Sequence, residues 1–156
     1  GPWYYEQLEL GYNYRMTDLQ AALGISQMQR LDEFVGRRNA LAQRYNELLT
    51  DLPLRRPKVI ADAYSSWHLY PIRLQLGKIT RSHREVFEAL REAGIGVNLH
   101  YMPVHLHPYY QGLGFREEMF PEAEAYGTDA ISLPMFPLLQ ESDQDTVIAS
   151  LRQLLQ

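Results

Sequence analysis

The stretch GYNYRMTDLQAALG, residues 11–24, places two tyrosines, an asparagine and an arginine directly before a helix start. Thr17 followed by Gln20 fits the capping box, in which a Thr hydroxyl and a Gln side chain satisfy each other's free backbone N–H groups. We therefore predict a helix that begins directly after Thr17. Two interpretations of the preceding residues stay open. In one, an aromatic loop packs on a core helix; in the other, Asn13 and Arg15 are presented to an anion outside this domain, which helix N-termini and nearby cations favour.

Composition restricts the class of protein and its partners. The chain has 156 residues, 46% of them hydrophobic and 22% charged, which suits one globular domain with its own core. The net charge is -4 and acidic and basic residues are intermixed, so we expect no nucleic-acid partner. Cysteine is absent, which excludes disulfides and is compatible with a reducing cytoplasm. No apolar run reaches the roughly 20 residues of a membrane span and no signal peptide is recognisable, so we expect a cytoplasmic protein without a membrane partner.

The spacing of apolar residues in the first half predicts two helices and a strand. The first helix continues to Val35, Gly36 marks a bend, and a second helix runs to Leu49. Alternation in WHLYPIRLQL, residues 67–76, predicts a half-buried strand, and Pro71 places this strand at a sheet edge or a bulge.

The second half predicts three more helices and two more strands. Ser82 and Glu85 form another capping box, and Gly94 ends the helix that they begin. A strand follows over residues 95–101, with one apolar face made of Ile95, Val97, Leu99 and Tyr101. Ser142 caps the last helix. Between the strand at 95–101 and the last helix we predict a long irregular loop at residues 102–120, a short helix at about 121–130 and a brief strand at 131–134. The whole is predicted to be a single α+β domain with a short, mostly antiparallel sheet covered by helices.

Three nearby histidines raise the question of a metal site. His100, His105 and His107 lie close together, but zinc and iron sites usually need a carboxylate or further ligand at suitable spacing, and none is evident. We expect no metal, and histidines that form hydrogen bonds within a loop. The P-loop, G-x-G-x-x-G and G-x-S-x-G motifs are absent from the sequence. Four carboxylates are predicted to form a solvated face: Glu117, Glu118, Glu122 and Glu124.

Four segments occur in a familiar order: PWYYEQLELGYNYRMTDLQAALG, SSWHLYPIRL, GIGVNLHYMPVHLHPYY and AISLPMFPLL. Together they resemble the C-terminal portion of the pyridoxal-phosphate-dependent sugar-nucleotide aminotransferases, the DegT/StrS family of fold type I. G-x-N-x-R-M followed by AALG is specific to the family. W-H-L-Y-P-I and H-Y-x-P narrow the resemblance to the enzyme that aminates C4 of a UDP-linked 4-keto-6-deoxy-N-acetylhexosamine on the way to pseudaminic acid. Relatives that act on the arabinose derivative of lipid A, on perosamine or on other keto sugars share much of this pattern and stay open.

The resemblance implies that the chain works with a second domain. Catalysis with pyridoxal 5′-phosphate (PLP) needs a lysine amine that binds the cofactor, and the family's lysine precedes G-x-N-x-R-M in a large domain. Neither Lys58 nor Lys78 matches it. The chain is therefore expected to be the small domain, residues 1–156, with a dimer-crossing loop and long helix over residues 1–52. Alone it is expected to hold no PLP and to be inactive, whereas its homodimeric parent uses PLP, glutamate and a UDP-sugar.

The resemblance also implies candidate site residues. Asn13 is expected to reach across the dimer towards the cofactor phosphate and the substrate. Arg15 is expected to help bind the anionic cofactor or to brace its loop. The sugar-nucleotide pocket is implied, by motif position, to include His100, Tyr101, Met102 and Pro103, with His68 and Tyr70 on the adjoining strand.

A hypothesis from another class stays open beside the enzyme. The chain would then be a non-catalytic α+β binding module whose aromatic edge recognises a partner protein or a glycan. A dehydratase relative, in which histidine replaces the cofactor-binding lysine, is a further alternative. An upstream large domain, and the residue at its lysine position, would separate these hypotheses.

Overall fold

A computed structural model describes residue 4 and residues 6–12 and 14–156 of the chain. The chain divides into two compact units, Gly1–Asp32 and Glu33–Gln156, and each is described below by itself. No helix among the described residues is long and apolar enough to cross a membrane.

The first unit contains helix α1, Asp18–Met28, whose predicted start is confirmed. The Thr17 backbone N–H donates to Gln20 Oε1 over 2.9 Å, and the Gln20 N–H donates to Thr17 Oγ1 over 3.3 Å. The predicted continuation to Val35 is wrong, because the N–H of Arg30 bonds to the carbonyl of Gln27 and tightens the last turn. No side chain of α1 is buried, so its own unit does not support the interpretation of α1 as a core helix.

Helix α2, Leu31–Leu48, begins three residues after the end of α1 and continues unbroken through Gly36, where a bend was predicted. Its inner face in the second unit carries Leu41, Ala42 and Tyr45, all of them buried. The Tyr45 hydroxyl donates to the carbonyl of Pro134 over 3.1 Å, which satisfies the one polar atom of a side chain with no exposed surface.

The second unit contains a three-stranded antiparallel sheet in the order β1, β2, β3, which confirms the predicted α+β fold. The strands are β1, Leu54–Arg55; β2, Tyr70–Leu74; and β3, Ala130–Leu133. Although β2 is the central strand, β1 pairs only with Leu74 and Arg73. Pro71 therefore has β3 on one side and lies beyond the end of β1 on the other, where a proline without an N–H is tolerated.

The predicted strand over residues 95–101 is wrong, since only Asn98 forms a bridge, to Ser132 of β3. Two local features limit the pairing. The Asn98 side chain accepts the N–H of Leu99 over 2.9 Å, and Pro134, which follows β3, has no N–H to extend the ladder. The predicted buried face consequently stops at Val97, and Leu99 and Tyr101 are exposed.

Four further helices complete the second unit: α3, His83–Glu92; α4, Pro108–Gly112; α5, Pro121–Asp129; and α6, Glu141–Leu155. Short 3₁₀ helices lie at Leu76–Lys78 and Val104–Leu106. The Ser82–Glu85 capping box is confirmed, and Gly94 follows α3 with a φ of 78°. The predicted cap of α6, Ser142, is wrong. Gln140 occupies the N-cap position, and its backbone N–H donates a hydrogen bond to the carboxylate of Asp143.

The core lies between the sheet and the inner faces of α2, α3 and α6. Each fully buried aliphatic side chain contributes about 1.5–3 kcal/mol to the free energy of unfolding. The largest fully buried side chains are Tyr45, Tyr70, Leu41, Leu49, Ile72, Leu90, Ile131 and Leu151. This core fixes the position of β3 and of α5, which leads into it, and those two elements carry the site described next.

Candidate functional site

A pocket of about 320 Å³ lies where residues 99–103 pass beside α5. The four adjacent residues predicted to bind a sugar nucleotide all line this pocket: His100, Tyr101, Met102 and Pro103. Their neighbours across the pocket come from α5 and include Tyr126, Gly127 and Thr128. The structure therefore brings the predicted segment together around one concave surface.

His100 is fixed at one end of this segment by β3. Its Nδ1 lies 2.9 Å from Oγ of Ser132, a residue that is itself buried. The His100 ring is half-buried and meets the Tyr101 ring edge-on, with 4.8 Å between the centroids. Because Nδ1 is engaged, Nε2 is the ring nitrogen left to bind a ligand.

Tyr101 and Met102 supply the exposed apolar surface of the site, with 71% and 52% of their surface accessible. Pro103 lies against α5 at Gly127, where a Cβ atom would come within 2.8 Å of the Pro103 Cδ. The absence of a side chain at Gly127 thus permits the close approach of Pro103. An aromatic ring and a thioether at the mouth suit the apolar faces of a sugar ring.

The prediction of a solvated carboxylate face is wrong for Glu124, because 21% of its side chain is accessible and both of its carboxylate oxygens accept hydrogen bonds. The other three carboxylates are exposed as predicted. Glu124 accepts hydrogen bonds from His105 Nε2 over 2.7 Å and from the backbone N–H groups of Glu118 and Phe120 over 3.0 and 3.3 Å. These bonds, first of all the one from Glu118, hold the pKa of Glu124 below its ordinary value. Sequence analysis missed this role, and its one local signal was an acidic residue in the first turn of α5.

The three histidines do not converge on one point. His100 and His105 form the predicted kind of hydrogen bond, to Ser132 and to Glu124. His107 is exposed and precedes α4 without a side-chain capping bond. Among the residues that the structure describes, no group of three or more His, Cys, Asp or Glu side chains is arranged to hold a metal ion.

His68 lies on a second groove, of about 540 Å³, which it shares with His100, Asn98 and Ser132. His100 therefore lines both concave surfaces and joins them. Phe136, 46% exposed, lies on the same groove. The predicted neighbourhood of His68 and His100 is thus present in the structure.

Tyr70 lies in the core and not at this site. Its hydroxyl donates to Asn46 Oδ1 over 2.6 Å, and its ring packs against those of Tyr45 and Trp67. Burial raises the pKa of Tyr70 well above its ordinary value. A side chain with no accessible surface has no atom to offer a ligand, so this placement does not support the predicted binding role.

The N-terminal unit holds the other predicted residues. Arg15 is exposed and lies with Tyr14, Met16 and Gln20 on an open concave surface at the start of α1. The rings of Tyr12 and Tyr14 stack with 5.3 Å between their centroids. Asn13, predicted to contact cofactor and substrate, lies outside the described residues.

Neither lysine of the chain lines the pocket around His100. Lys58 is exposed on a cleft beside α2 that Arg55 and Tyr64 also line. Lys78 is exposed at the end of a 3₁₀ helix. Both amines lie at the periphery of the second unit.

The chain matches the DegT/DnrJ/EryC1/StrS aminotransferase family over residues 2–152. The spore coat polysaccharide biosynthesis protein SpsC of Bacillus subtilis is 41% identical over 157 residues, which cover 99% of this chain and 40% of that protein. The chain therefore spans about two fifths of the length of the curated relatives it matches.

Two solved structures show the same fold over nearly the whole chain. Helicobacter pylori PseC, an aminotransferase involved in the biosynthesis of pseudoaminic acid, has a TM-score of 0.86 at 27% identity, covering 96% of this chain and 40% of PseC. The PLP form of the putative sugar aminotransferase Spr1654 from Streptococcus pneumoniae has a TM-score of 0.86 at 28% identity, covering 99% of this chain and 40% of Spr1654.

Proposed function

Because the chain belongs to the DegT/DnrJ/EryC1/StrS aminotransferase family, we propose that it is the C-terminal small domain of a PLP-dependent sugar-nucleotide aminotransferase. The amino group passes from glutamate to C4 of a UDP-linked 4-keto-6-deoxy-N-acetylhexosamine, so that glutamate becomes 2-oxoglutarate and the keto group becomes an amine. The product is the altrosamine-type precursor of pseudaminic acid. The similarity to PseC supports this choice of substrate.

The observation that carries the proposal is the convergence of His100, Tyr101, Met102 and Pro103 on one pocket. His100 Nε2 binds a sugar hydroxyl or the N-acetyl carbonyl, and the exposed faces of Tyr101 and Met102 contact the hexose ring. Glu117 and Glu124 also line the pocket. Because carboxylates repel a diphosphate, we place the hexose here and direct the UDP towards the groove shared with His68, which one carboxylate, that of Asp143, lines in place of two.

Arg15 fits the anionic end of the cofactor. Its guanidinium is exposed beside the N-terminus of α1, where the helix dipole also favours a negative charge. We propose that Asn13 and Arg15 hold the PLP phosphate of the partner subunit in a homodimer. PLP held there would supply the carrier for the amino group on its way from glutamate to the keto sugar.

The exposure of both lysines of this chain supports the proposal that the cofactor-binding lysine lies elsewhere in the parent enzyme. A Schiff-base lysine lies in a desolvated pocket next to its carbonyl partner, whereas Lys58 and Lys78 are exposed at the periphery. We therefore propose that the large domain supplies this lysine and that the chain alone neither binds PLP nor transfers amino groups. The absence of cysteine suits the cytoplasm as the proposed location.

The direct test uses the full reading frame that contains this chain. The purified protein is mixed with PLP, and its visible absorbance is followed on addition of glutamate and then of a UDP-4-keto sugar. We expect a cofactor band that glutamate bleaches and the keto sugar restores. A protein that develops no such band contradicts the proposal and favours the binding-module hypothesis.

A matched pair of variants tests the role of Arg15 without an activity assay. Arg15→Gln is expected to weaken PLP retention in equilibrium dialysis, because the phosphate loses a charge-assisted partner. Arg81→Gln removes an equally exposed guanidinium before α3 and is expected to leave retention unchanged. Equal retention by the two variants would restrict Arg15 to bracing its loop.

A further inference from the structure

The residues proposed to contact the hexose lie in a short segment that begins at His100 and ends at His105. At one end, His100 Nδ1 lies 2.9 Å from Oγ of Ser132 on β3. At the other end, His105 Nε2 lies 2.7 Å from Oε1 of Glu124 on α5. The residues between them include Tyr101 and Met102, which are exposed. The position of this segment therefore depends on the hydrogen bonds that His100 and His105 form with Ser132 and Glu124.

The bond at the second end has a defined direction. An ionised carboxylate only accepts hydrogen bonds, so His105 Nε2 carries a hydrogen and donates a hydrogen bond to Glu124. His105 is 6% exposed, and its ring meets the edge of Phe120 with 4.8 Å between the centroids. A bond to a charged acceptor in such a setting is stronger than a neutral bond on the surface.

Glu124 binds more than the histidine. Its Oε2 accepts the N–H of Glu118 over 3.0 Å, and its Oε1 also accepts the N–H of Phe120 over 3.3 Å. One carboxylate thus ties three segments to each other: the 3₁₀ helix Val104–Leu106, the turn at residues 118–120, and α5. We call this set of bonds the Glu124 clasp.

The clasp adjoins the pocket directly. Glu124 lines the pocket itself, and Leu106, next to His105, lines it too. The other backbone bonds of this segment are local, from the N–H of Leu106 to Pro103 and from the N–H of His107 to Val104. Local bonds preserve the shape of the turn but do not fix its place relative to α5. The contact of Pro103 with Gly127 and the hydrogen bonds of the clasp set that place.

From this geometry we infer that Glu124 and His105 are positioning residues for the sugar nucleotide, holding Tyr101, Met102 and Pro103 against α5 without contacting the reacting carbon. The inference rests on the proposed function of the pocket. The residues of the clasp all lie in the second unit, and their proposed role does not involve Arg15 in the first.

The test compares Glu124→Ala with Glu122→Ala in the full-length protein loaded with PLP. Both changes remove a carboxylate from the first turn of α5, but Glu122 is exposed and lies outside the pocket. Binding of UDP-N-acetylglucosamine, an unreactive analogue with a hydroxyl at C4, is measured by calorimetry. Glu124→Ala is expected to raise the dissociation constant about tenfold, which corresponds to about 1.4 kcal/mol of binding free energy.

Two further readouts separate positioning from general damage. The KM for glutamate is expected to stay unchanged in both variants, while the KM for the keto sugar nucleotide rises only in Glu124→Ala. Glu124→Gln keeps one acceptor oxygen in place of two, so it can accept only part of these hydrogen bonds, and it is expected to recover part of the affinity. Should Glu124→Ala fail to fold, Glu124→Gln decides alone, with affinity about threefold or more below wild type expected from the loss of charge-assisted bonds.

Each outcome has a defined consequence. Analogue affinity in the deciding variant within twofold of that of Glu122→Ala overturns the inference and leaves the proposed function intact. A parallel rise of both KM values also overturns it, because the clasp would then act on the whole active site and not on the sugar pocket in particular. Wild-type protein that binds PLP but not UDP-N-acetylglucosamine contradicts the proposed pocket, and the inference with it.

Discussion

Helices α1 and α6 carry similar local signals but have opposite surroundings. Both start with a capping box, and both carry apolar side chains along their length. Helix α6 buries Val147, Ile148, Leu151 and Leu155 against the sheet and its neighbours, while α1 buries no side chain. The difference shows that α1 is shaped for a surface that its own unit does not supply.

The same contrast separates the two candidate sites. The pocket around His100 is assembled within one unit, from β3, the 99–106 segment and α5. Hydrogen bonds to Ser132 and from His105 hold two of its lining residues, His100 and Glu124, in place. The surface around Arg15 is open and has few neighbours. This arrangement agrees with the proposal that the sugar pocket is built here and that the cofactor end is completed by a large domain and a partner subunit.

The largest expected effect is on stability and tests the contrast between the helices. Leu151→Ala on α6 removes a side chain with no exposed surface and is expected to lower the free energy of unfolding by about 2–5 kcal/mol. Leu23→Ala makes the same change on α1, where 64% of the side chain is exposed, and is expected to change it by less than about 0.5 kcal/mol. Urea denaturation of the chain measures both, and equal losses would contradict the described burial.

The second effect is on association. The exposed apolar side chains of α1 include Leu19, Leu23, Ile25 and Met28, each at least 64% accessible. Contiguous apolar surface of this kind favours self-association, so the isolated chain is expected to form dimers or larger species at high concentration. Light scattering measures this, and Leu19→Glu is expected to shift the chain towards monomer. A wild-type chain that stays monomeric would count against an unpartnered α1.

The third effect concerns pH and sharpens the role of the Glu124 clasp. Bonds from the backbone and His105 hold the pKa of Glu124 below its ordinary value. A carboxyl group with a lowered pKa in the folded state contributes stability above its unfolded pKa of about 4.3, and this contribution is lost as the pH falls through the folded value. The melting temperature of wild type is therefore expected to exceed that of Glu124→Gln by the largest amount near pH 7. This difference is expected to shrink below about pH 4.

Glu122→Gln serves as the control for that pH series. Glu122 occupies the same turn of α5 but is exposed. The melting temperature of Glu122→Gln is expected to differ little from that of wild type at every pH. A Glu124→Gln difference that is equally small at pH 7 would show that the clasp does not stabilise the folded chain.

The smallest effect concerns the approach of Pro103 to α5. Gly127→Ala places a Cβ 2.8 Å from the Pro103 Cδ, so the proline must shift, at a cost of about 1–3 kcal/mol. Gly36→Ala in α2 meets no atom within 4 Å and is expected to stabilise the chain by about 0.5–1 kcal/mol. Thermal melting of the two variants gives opposite signs if the contact is as close as described. A stabilising Gly127→Ala would contradict it.

Local features of the sequence predicted local structure well. The capping boxes at Thr17–Gln20 and Ser82–Glu85 depend only on residues three apart, and both occur as predicted. The alternation in β2 also predicted its buried face. For α6, however, two polar residues near the start competed, and the sequence alone did not show that Gln140 and not Ser142 precedes the first turn.

Features that depend on distant residues were not predictable from patterns. Alternation over residues 95–101 favoured a strand, but Asn98 is the one residue of this segment that pairs with β3, and Pro134 has no N–H to extend the ladder. The role of Glu124 depends on His105, 19 residues away, so its charge alone predicted a solvated side chain. Tyr70 was assigned to the site by motif position, although its alternation with Ile72 already placed it on the buried face.

The most direct test of the account follows the amino group itself. The full-length protein is incubated with PLP, ¹⁵N-labelled glutamate and a UDP-4-keto-6-deoxy-N-acetylhexosamine, and the product is examined by NMR. The account predicts ¹⁵N bonded to C4 of the sugar, together with 2-oxoglutarate. An unlabelled sugar recovered from a protein that is folded and loaded with PLP would contradict it.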